Sequence, residues 1–222
     1  MRTLCKTIVA LGLVALMAGP AMAQQGRGGG RGEFGGGLGM LLKNASVQQE
    51  LKLDATQTEK AKEVAEKARE KFQAKRESLE GLHGEERFKK MQELNKEVNA
   101  GVDKEIKEFL TTEQIHRLHQ LQHQLQGAHA FTDEHVQDKL KLSDDQKTEI
   151  REIVHASSAE AHKIWEEDAQ HDREGMMAKM AEHRKETLAK VESKLTDEQK
   201  AAWKEMLGDP FEIKWERHGG GH

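Results

Sequence analysis

Three residue types are almost missing from this sequence. Its 222 residues include two prolines, one cysteine and no tyrosine. Between Pro20 and Pro210 there is no proline, so no residue in that stretch blocks a helix through a missing N–H. Strands have little to be made from, because β-branched runs are scarce and tyrosine is absent. A lone cysteine, Cys5, excludes a disulfide framework, and the composition predicts an all-α protein.

Long apolar runs are also scarce, and the only extended one lies at the N-terminus. There, basic Arg2 and Lys6 precede an apolar run over residues 7–19 and the small residues that end at Ala23. This order is typical of a secretory signal peptide, which we expect to occupy residues 1–23 and to be removed. No later stretch approaches the ~20 apolar residues of a membrane span. We therefore expect a periplasmic protein with no transmembrane segment after signal cleavage.

The charge and the two ends of the chain exclude further classes. The formal net charge is −4, which argues against a phosphate-binding surface and hence against nucleic acid as a partner. Residues 24–43 are rich in glycine and predict a flexible tether. The glycine-rich tail, residues 216–222, is expected to be disordered.

Between those ends the sequence repeats itself. The segment Val47–Leu53 returns 89 residues later as Val136–Leu142. Two copies of one helical unit are the simplest explanation, and repeats of this kind define an architecture before any other pattern does. We place the units at residues 44–131 and 132–215.

Apolar spacing predicts that each unit is a hairpin of two long amphipathic helices and a short closing helix. The first hairpin is expected to turn at residues 81–84 and the second at Gly175. Helices of ~25 residues joined by a tight turn must lie antiparallel. The inward face of the last long helix is predicted to comprise Met177, Met180, Ala181, Leu188 and Val191.

A five-residue pattern, Leu-[Asp/Ser/Thr]-x-x-Gln, opens four of the predicted helices. Such a pattern is a capping box, in which the Asp, Ser or Thr side chain accepts from a free backbone N–H and the Gln side chain reaches back. We therefore assign a structural, helix-starting role to all four copies. Their residues are Leu53, Asp54 and Gln57; Leu110, Thr111 and Gln114; Leu142, Ser143 and Gln146; and Leu195, Thr196 and Gln199.

At these motifs the chain resembles the LTxxQ-motif family of periplasmic chaperones and stress regulators typified by Spy and CpxP. Its relatives include zinc-resistance proteins and envelope heavy-metal sensors, and the resemblance spans residues 44–213. It implies a thin, curved, helical protein that shields unfolded clients without ATP. The chain departs from the family in two ways: only the copies at Leu110 and Leu195 carry Thr, and the unit is duplicated. We expect the two units to pair within one chain as a pseudo-dimer, with a homodimer as the alternative.

The resemblance implies unfolded or misfolded envelope proteins as partners. Thin hairpins bury little, so some large apolar side chains should stay partly exposed and contact such clients. Methionine is suited to this role because its side chain adapts to many surfaces. The candidate client contacts are Trp165, Met176, Met177, Met180, Trp203 and Phe211.

Three histidines, His116, His119 and His123, fall within about 60° of one another on a predicted helix. Such a row could bind zinc, nickel or copper with further ligands from elsewhere. The alternative is a polar helix face, and the matching helix of the second unit has Ala201 and Lys204 at the first two positions. We predict no cofactor, and a metal site at these histidines is the alternative.

Catalytic patterns are missing from the sequence. There is no Gly-rich loop after a strand and no His-Glu-x-x-His run, and serines such as Ser78 and Ser193 lack a recognisable base and orienting acid. We therefore predict that the protein is not an enzyme. The leading hypothesis is an ATP-independent periplasmic chaperone or envelope-stress protein. The alternatives are a metal-binding sensor or buffer that uses the surface histidines, and an inert spacer.

Overall fold

The structure, a computed structural model, describes residues 37–168 and 172–215. Within these two ranges the chain forms helices and no strand, which confirms the all-α prediction. The predicted signal peptide and the tail at 216–222 lie outside the described residues. The α-helices are α1 (Leu38–Lys43), α2 (Ala45–Glu50), α3 (Ala55–Arg76), α4 (Gly84–Ile106), α5 (Thr112–Gln126), α6 (Glu134–Lys139), α7 (Asp144–Asp168), α8 (Arg173–Glu192) and α9 (Asp197–Leu207).

Two long hairpins, α3–α4 and α7–α8, form the body of the molecule. A short 3-10 helix, Glu77–Leu79, follows α3, and the chain then turns before α4 begins at Gly84. Gly81 and Gly84 have φ angles of 76° and 55°, a left-handed conformation that glycine adopts without steric cost. The first turn is therefore where the sequence predicts it. None of the described helices combines the length and apolar character that a bilayer span requires.

The prediction that Gly175 forms the second turn is wrong. Asp172 caps α8, and its Oδ1 accepts from the Gly175 N–H at 2.8 Å, which places Gly175 inside the first helical turn. A capping carboxylate starts a helix ahead of a glycine because it satisfies free N–H groups. A Cβ on Gly175 would lie 2.0 Å from Asp172 Oδ2. The glycine therefore makes room for the cap.

The predicted tether is also too long, because residues 38–43 form α1. Leu38, Leu41 and Leu42 are fully buried, and their i, i+3, i+4 spacing gives one apolar helix face. A Cβ on Gly39 would lie 3.0 Å from the Ala68 side chain, so α1 packs closely against α3. Three leucines near the end of a glycine-rich stretch are enough to bring that end into the core.

The buried apolar residues form two main clusters. Cluster 1 joins α1 and α2 to α3, α4 and α5. Cluster 2 joins α6, and the segment between α5 and α6, to α7, α8 and α9. A third, small cluster of Leu79, Leu94 and Val98 lies in the outer part of the α3–α4 hairpin. The largest fully buried side chains are Leu38, Leu41, Leu42, Val47, Ile106, Leu118 and Leu121 in cluster 1, and Phe131, Val136, Ile150 and Trp203 in cluster 2.

The same local contacts recur 89 residues apart. An acceptor side chain caps both α2 and α6. A glutamine amide in each of these helices donates to a backbone carbonyl of the preceding segment. A lysine with left-handed backbone follows each helix. These recurring contacts support the prediction of a duplicated unit. The equivalent residues are Asn44 and Asp133 as caps, Gln48 and Gln137 as donors (2.7 and 2.9 Å), and Lys52 and Lys141 (φ 52° and 51°).

The inward face of α8 matches the predicted apolar stripe only in part: Val191 is buried and Met180 and Leu188 are half-buried. Met177 is 51% exposed and Ala181 is also exposed. Met176, His183 and Thr187 are buried instead, along with Val191. The helix is thus rotated by about one residue relative to the expectation, because polar side chains rather than apolar ones set its register on α7.

Candidate functional site

The four capping boxes meet in pairs. Asp54 and Gln57 cap α3, and Thr111 and Gln114 cap α5, in the two-way arrangement that defines a capping box. In addition, Gln57 Nε2 donates to Gln114 Oε1 at 2.9 Å and Gln114 Nε2 donates to Gln57 Oε1 at 3.2 Å. Each amide also donates to the backbone before the other helix, to the carbonyl of Phe109 or of Leu51. Each glutamine thus starts one helix and joins it to the other.

An equivalent glutamine pair joins α7 to α9. Gln146 Nε2 donates to Gln199 Oε1 at 2.8 Å, and Gln199 Nε2 donates to Gln146 Oε1 at 3.0 Å. Ser143 and Thr196 supply the N-cap oxygens. The sequence motif shows the helix start but not this tertiary pairing, because spacing within a motif carries no information on its spatial partner.

The client-contact candidates divide into exposed and buried residues. Trp165 and Met177 are each 51% exposed, whereas Met180 and Phe211 are half-buried. The predictions for Trp203 and Met176 are wrong, because these side chains are only 2% and 8% exposed. Trp203 packs into cluster 2, with its ring centroid 4.4 Å from that of Phe131.

Trp165 and Met177 lie at the same end of the α7–α8 hairpin. Ser157 of α7 contacts His183 of α8, and the two helices are antiparallel. Trp165 is therefore level with the first turns of α8, where Met177 lies. Charged side chains share this end, and the His162 and Glu166 side chains pair there at 3.1 Å. We call Trp165 and Met177 the apolar tip.

A partly buried polar network crosses the middle of the same hairpin, in which His183 and Thr187 are buried and Glu160 is exposed. His183 Nε2 lies 2.8 Å from Ser157 Oγ and 3.0 Å from the Ser157 carbonyl oxygen. Ser157 Oγ is 2.9 Å from Thr187 Oγ1, which donates to the His183 carbonyl at 2.8 Å. Glu160 Oε2 lies 3.5 Å from His183 Nδ1. Sequence reasoning missed this network, although all four residues fall at helical spacing on facing helices.

The network places a serine, a histidine and a carboxylate in a row, as in hydrolases. The hydrogens of this network are placed differently from those of a hydrolase triad, however. A carbonyl oxygen can only accept, so the contact with the Ser157 carbonyl requires a hydrogen on His183 Nε2. The Thr187 hydroxyl hydrogen goes to the His183 carbonyl, which leaves Thr187 Oγ1 to accept from Ser157. Nε2 then donates to Ser157 instead of removing its proton, and the network joins two helices.

The three candidate metal-binding histidines are placed differently from one another. His119 Nε2 lies 2.8 Å from Asp103 Oδ1, and His123 Nδ1 lies 3.2 Å from the Met206 carbonyl oxygen. His116 is exposed. Among the residues with described side chains, no three His, Cys, Asp or Glu lie close enough together to hold a metal ion.

His123 lies at the junction of α5 and α9. Its pKa is lowered by burial, against the opposing effect of its bond to the Met206 carbonyl, and the neighbouring His119 lowers it further. Gln120 and Gln124 flank it on α5 and donate to the carbonyls of Glu205 and Leu207 at 3.4 and 2.6 Å. One face of α5 therefore donates to carbonyls in the last turn of α9, where a helix lacks its full set of intrahelical donors.

Two small cavities lie in the described part of the chain. Their volumes are about 140 and 130 Å³, below the ~300 Å³ at which small-molecule sites begin. The larger one lies beside the polar network and is lined by Ser157, Glu160 and Thr187. No protein-family model, curated protein or solved structure matches the chain. Functional interpretation therefore depends on the residues themselves.

Proposed function

We propose that this protein is an ATP-independent periplasmic chaperone or envelope-stress protein that binds unfolded polypeptide on its helical surface. The observation that carries the proposal is the apolar tip. Trp165 and Met177 are half exposed at the end of a long hairpin, where folding alone would favour polar residues. Exposed apolar side chains surrounded by charge are typical of surfaces that bind other chains reversibly.

Two further features support this function. The cavities described above are too small for a drug-sized ligand, so a surface is the better candidate for binding. Long hairpins such as α7–α8 also present much surface for their mass, as a shielding protein requires. The basic residues, apolar run and small residues of 1–23 support a periplasmic location, a proposal that cell fractionation tests.

An aggregation assay tests the function directly. A chemically denatured client is diluted without ATP, and light scattering is followed with and without stoichiometric amounts of this protein. We expect suppression by the wild type and about tenfold weaker suppression by Trp165→Ser/Met177→Ser, since two half-exposed apolar contacts contribute roughly 1–2 kcal/mol. Ala181→Ser, an exposed change on α8, is the matched control. A wild-type protein that leaves aggregation unchanged would contradict the proposal.

Metal binding is the second candidate function, and one observation favours it. Histidines that bind metals usually direct their other ring nitrogen at a carboxylate or a backbone carbonyl. His119 and His123 contact the Asp103 carboxylate and the Met206 carbonyl in this manner. Calorimetric titration with zinc, nickel and copper tests it. Binding lost in His119→Gln but kept in His116→Gln would support a site centred on His119 and His123.

A further inference from the structure

The residues after α9 form an extended segment that crosses to the other end of the chain. Gly208 ends α9 with a left-handed φ of 60°. Residues 209–215, which we call the strap, then run without helix or strand over α1, α2 and α5. The strap is thus the only described segment of this length that has no secondary structure of its own.

Side chains of the first unit bind the strap through its backbone. The Phe211 N–H donates to Gln124 Oε1 at 3.0 Å, and the Lys214 N–H donates to Ser46 Oγ at 3.0 Å. Asn44 Nδ2 donates to the Lys214 carbonyl at 2.8 Å. Bonds to backbone groups do not depend on the identity of the bound residues, which is how proteins recognise extended peptides of varied sequence.

The strap side chains alternate between apolar and charged. Phe211 and Ile213 are half-buried and pack against cluster 1, whereas Glu212 and Lys214 are exposed. Trp215 continues the alternation and is 48% exposed. In an extended chain, every second side chain points to the same side. The face of α1, α2 and α5 beneath the strap therefore accepts apolar residues at alternate positions, and we call it the groove.

The strap is held more weakly than the elements beneath it. Each of its side chains keeps some exposure, whereas the leucines of α1 are fully buried. Segments with few buried contacts open at low free energy, well before the whole protein unfolds. Release of the strap would uncover the apolar surface of cluster 1 and free the Asn44, Ser46 and Gln124 side chains to bind another backbone.

We infer that the strap is a built-in ligand of a peptide-binding groove, and that the groove binds extended segments of unfolded polypeptide with apolar residues at alternate positions once the strap is released. This inference rests on the proposed function and names the client chemistry. A tethered ligand has an effective concentration of about millimolar. A competing segment therefore binds only to molecules whose strap is released. Its apparent affinity is the intrinsic affinity multiplied by the fraction of such molecules.

The first experiment uses the full chain and a fluorescent peptide with the sequence of residues 208–215, followed by anisotropy. In Phe211→Ser/Ile213→Ser the strap loses its apolar contacts while the groove is unchanged, so we expect at least tenfold tighter peptide binding than in the wild type. Glu212→Ser/Lys214→Ser, which changes only the exposed positions of the strap, is the matched control and should stay within twofold of the wild type. Equal peptide affinity in all three proteins would overturn the inference.

A second variant tests the groove itself. Asn44→Asp keeps the oxygen that caps α2, as Asp133 caps α6 in the equivalent position, but removes the Nδ2 donor to the Lys214 carbonyl. Added to Phe211→Ser/Ile213→Ser, it should weaken peptide binding about fivefold while helical circular dichroism is unchanged. Unchanged peptide affinity with retained helicity would contradict the assigned groove. A dimer formed by the strap variant, without peptide binding, would assign the groove to a second copy and overturn the inference.

The peptide experiment and the aggregation assay can fail separately. Peptide binding without suppression of client aggregation would leave the groove in place and remove the chaperone function. Suppression by the wild type that is unchanged in Phe211→Ser/Ile213→Ser would keep the function and overturn the groove as its site.

Discussion

Gln114 makes more hydrogen bonds than a helix cap needs. Its Oε1 accepts from the Thr111 N–H, as a capping box requires, and its Nε2 donates to Gln57 Oε1 and to the Leu51 carbonyl. A glutamate could fill the capping role, because its carboxylate oxygen accepts from the Thr111 N–H equally well. The two donated bonds can be made only by an amide. Glutamine at this position is therefore explained by tertiary structure more than by helix initiation.

Gln114→Glu separates the two roles of this side chain. The carboxylate keeps the cap but cannot donate, and it faces two oxygens that have lost a donor, so we expect a loss of about 1–3 kcal/mol of stability. Urea denaturation monitored by circular dichroism measures it. Gln73→Glu, at an exposed position in α3, should change stability by less than about 0.5 kcal/mol. Equal effects of the two variants would show that the Gln57–Gln114 pairing contributes nothing.

Substitution of Ser157 distinguishes a catalytic role of the polar network from a structural one. In the structural interpretation, Ser157→Ala removes two side-chain contacts and destabilises the protein by about 1–2 kcal/mol. It should leave the hydrolysis of a chromogenic ester at the background rate shown by the wild type. Ester hydrolysis by the wild type that is lost in Ser157→Ala would contradict the prediction that this protein is not an enzyme.

Among the elements, α5 joins parts of the chain that lie far apart in sequence. It begins at the Gln57–Gln114 pair, contributes Leu118 and Leu121 to cluster 1, and satisfies the last carbonyls of α9 through its polar face. Gln124 also holds the strap. Of the predicted metal row, only His123 contacts α9, whereas His119 contacts Asp103 of α4.

The contact of His123 with the end of α9 should make the stability of the folded protein fall at acid pH. Burial lowers the pKa of His123 in the folded state, whereas the unfolded chain has the ordinary value of about 6.5. Above that pH both states are neutral and the full stability is present. As the pH falls below about 6.5, the unfolded state binds a proton that the folded state does not, so stability is lost. Thermal melts between pH 7.5 and 5 should show this loss.

A pair of variants assigns the acid sensitivity to one residue. His123→Gln retains a donor for the Met206 carbonyl but cannot be protonated, so its melting temperature should fall less steeply with acid than that of the wild type. His116→Gln, an exposed change on the same helix, should follow the wild type. Parallel slopes for His123→Gln and the wild type would mean that other groups cause the acid effect.

The sequence predicts elements better than it predicts their orientation. Helix starts at Asp54, Thr111, Ser143 and Thr196 are encoded locally, because a cap acts on N–H groups within one turn. The face of α8 is not encoded locally, since His183 and Thr187 are buried by virtue of partners on α7. For the same reason the strap and the burial of Trp203 were missed: both depend on residues more than 70 positions away.

For the whole molecule, the contact between α5 and α9 joins the two predicted units within one chain. We therefore expect light scattering to give the mass of a single chain at micromolar concentration. A mass of two or more chains that persists on dilution would favour the homodimer instead of the intrachain pseudo-dimer.

The bonds of Lys214 to Asn44 and Ser46 have a topological consequence. They bring the last described residues beside the first helices, so the path of the backbone is close to a closed ring. A linker from Trp215 to Gly37 that is long enough to pass α1 would complete that ring, and the exposed turn between the 3-10 helix Glu77–Leu79 and α4 offers a place to open it. A circular permutant cut there would keep every helix pairing and would fasten the strap covalently at both ends.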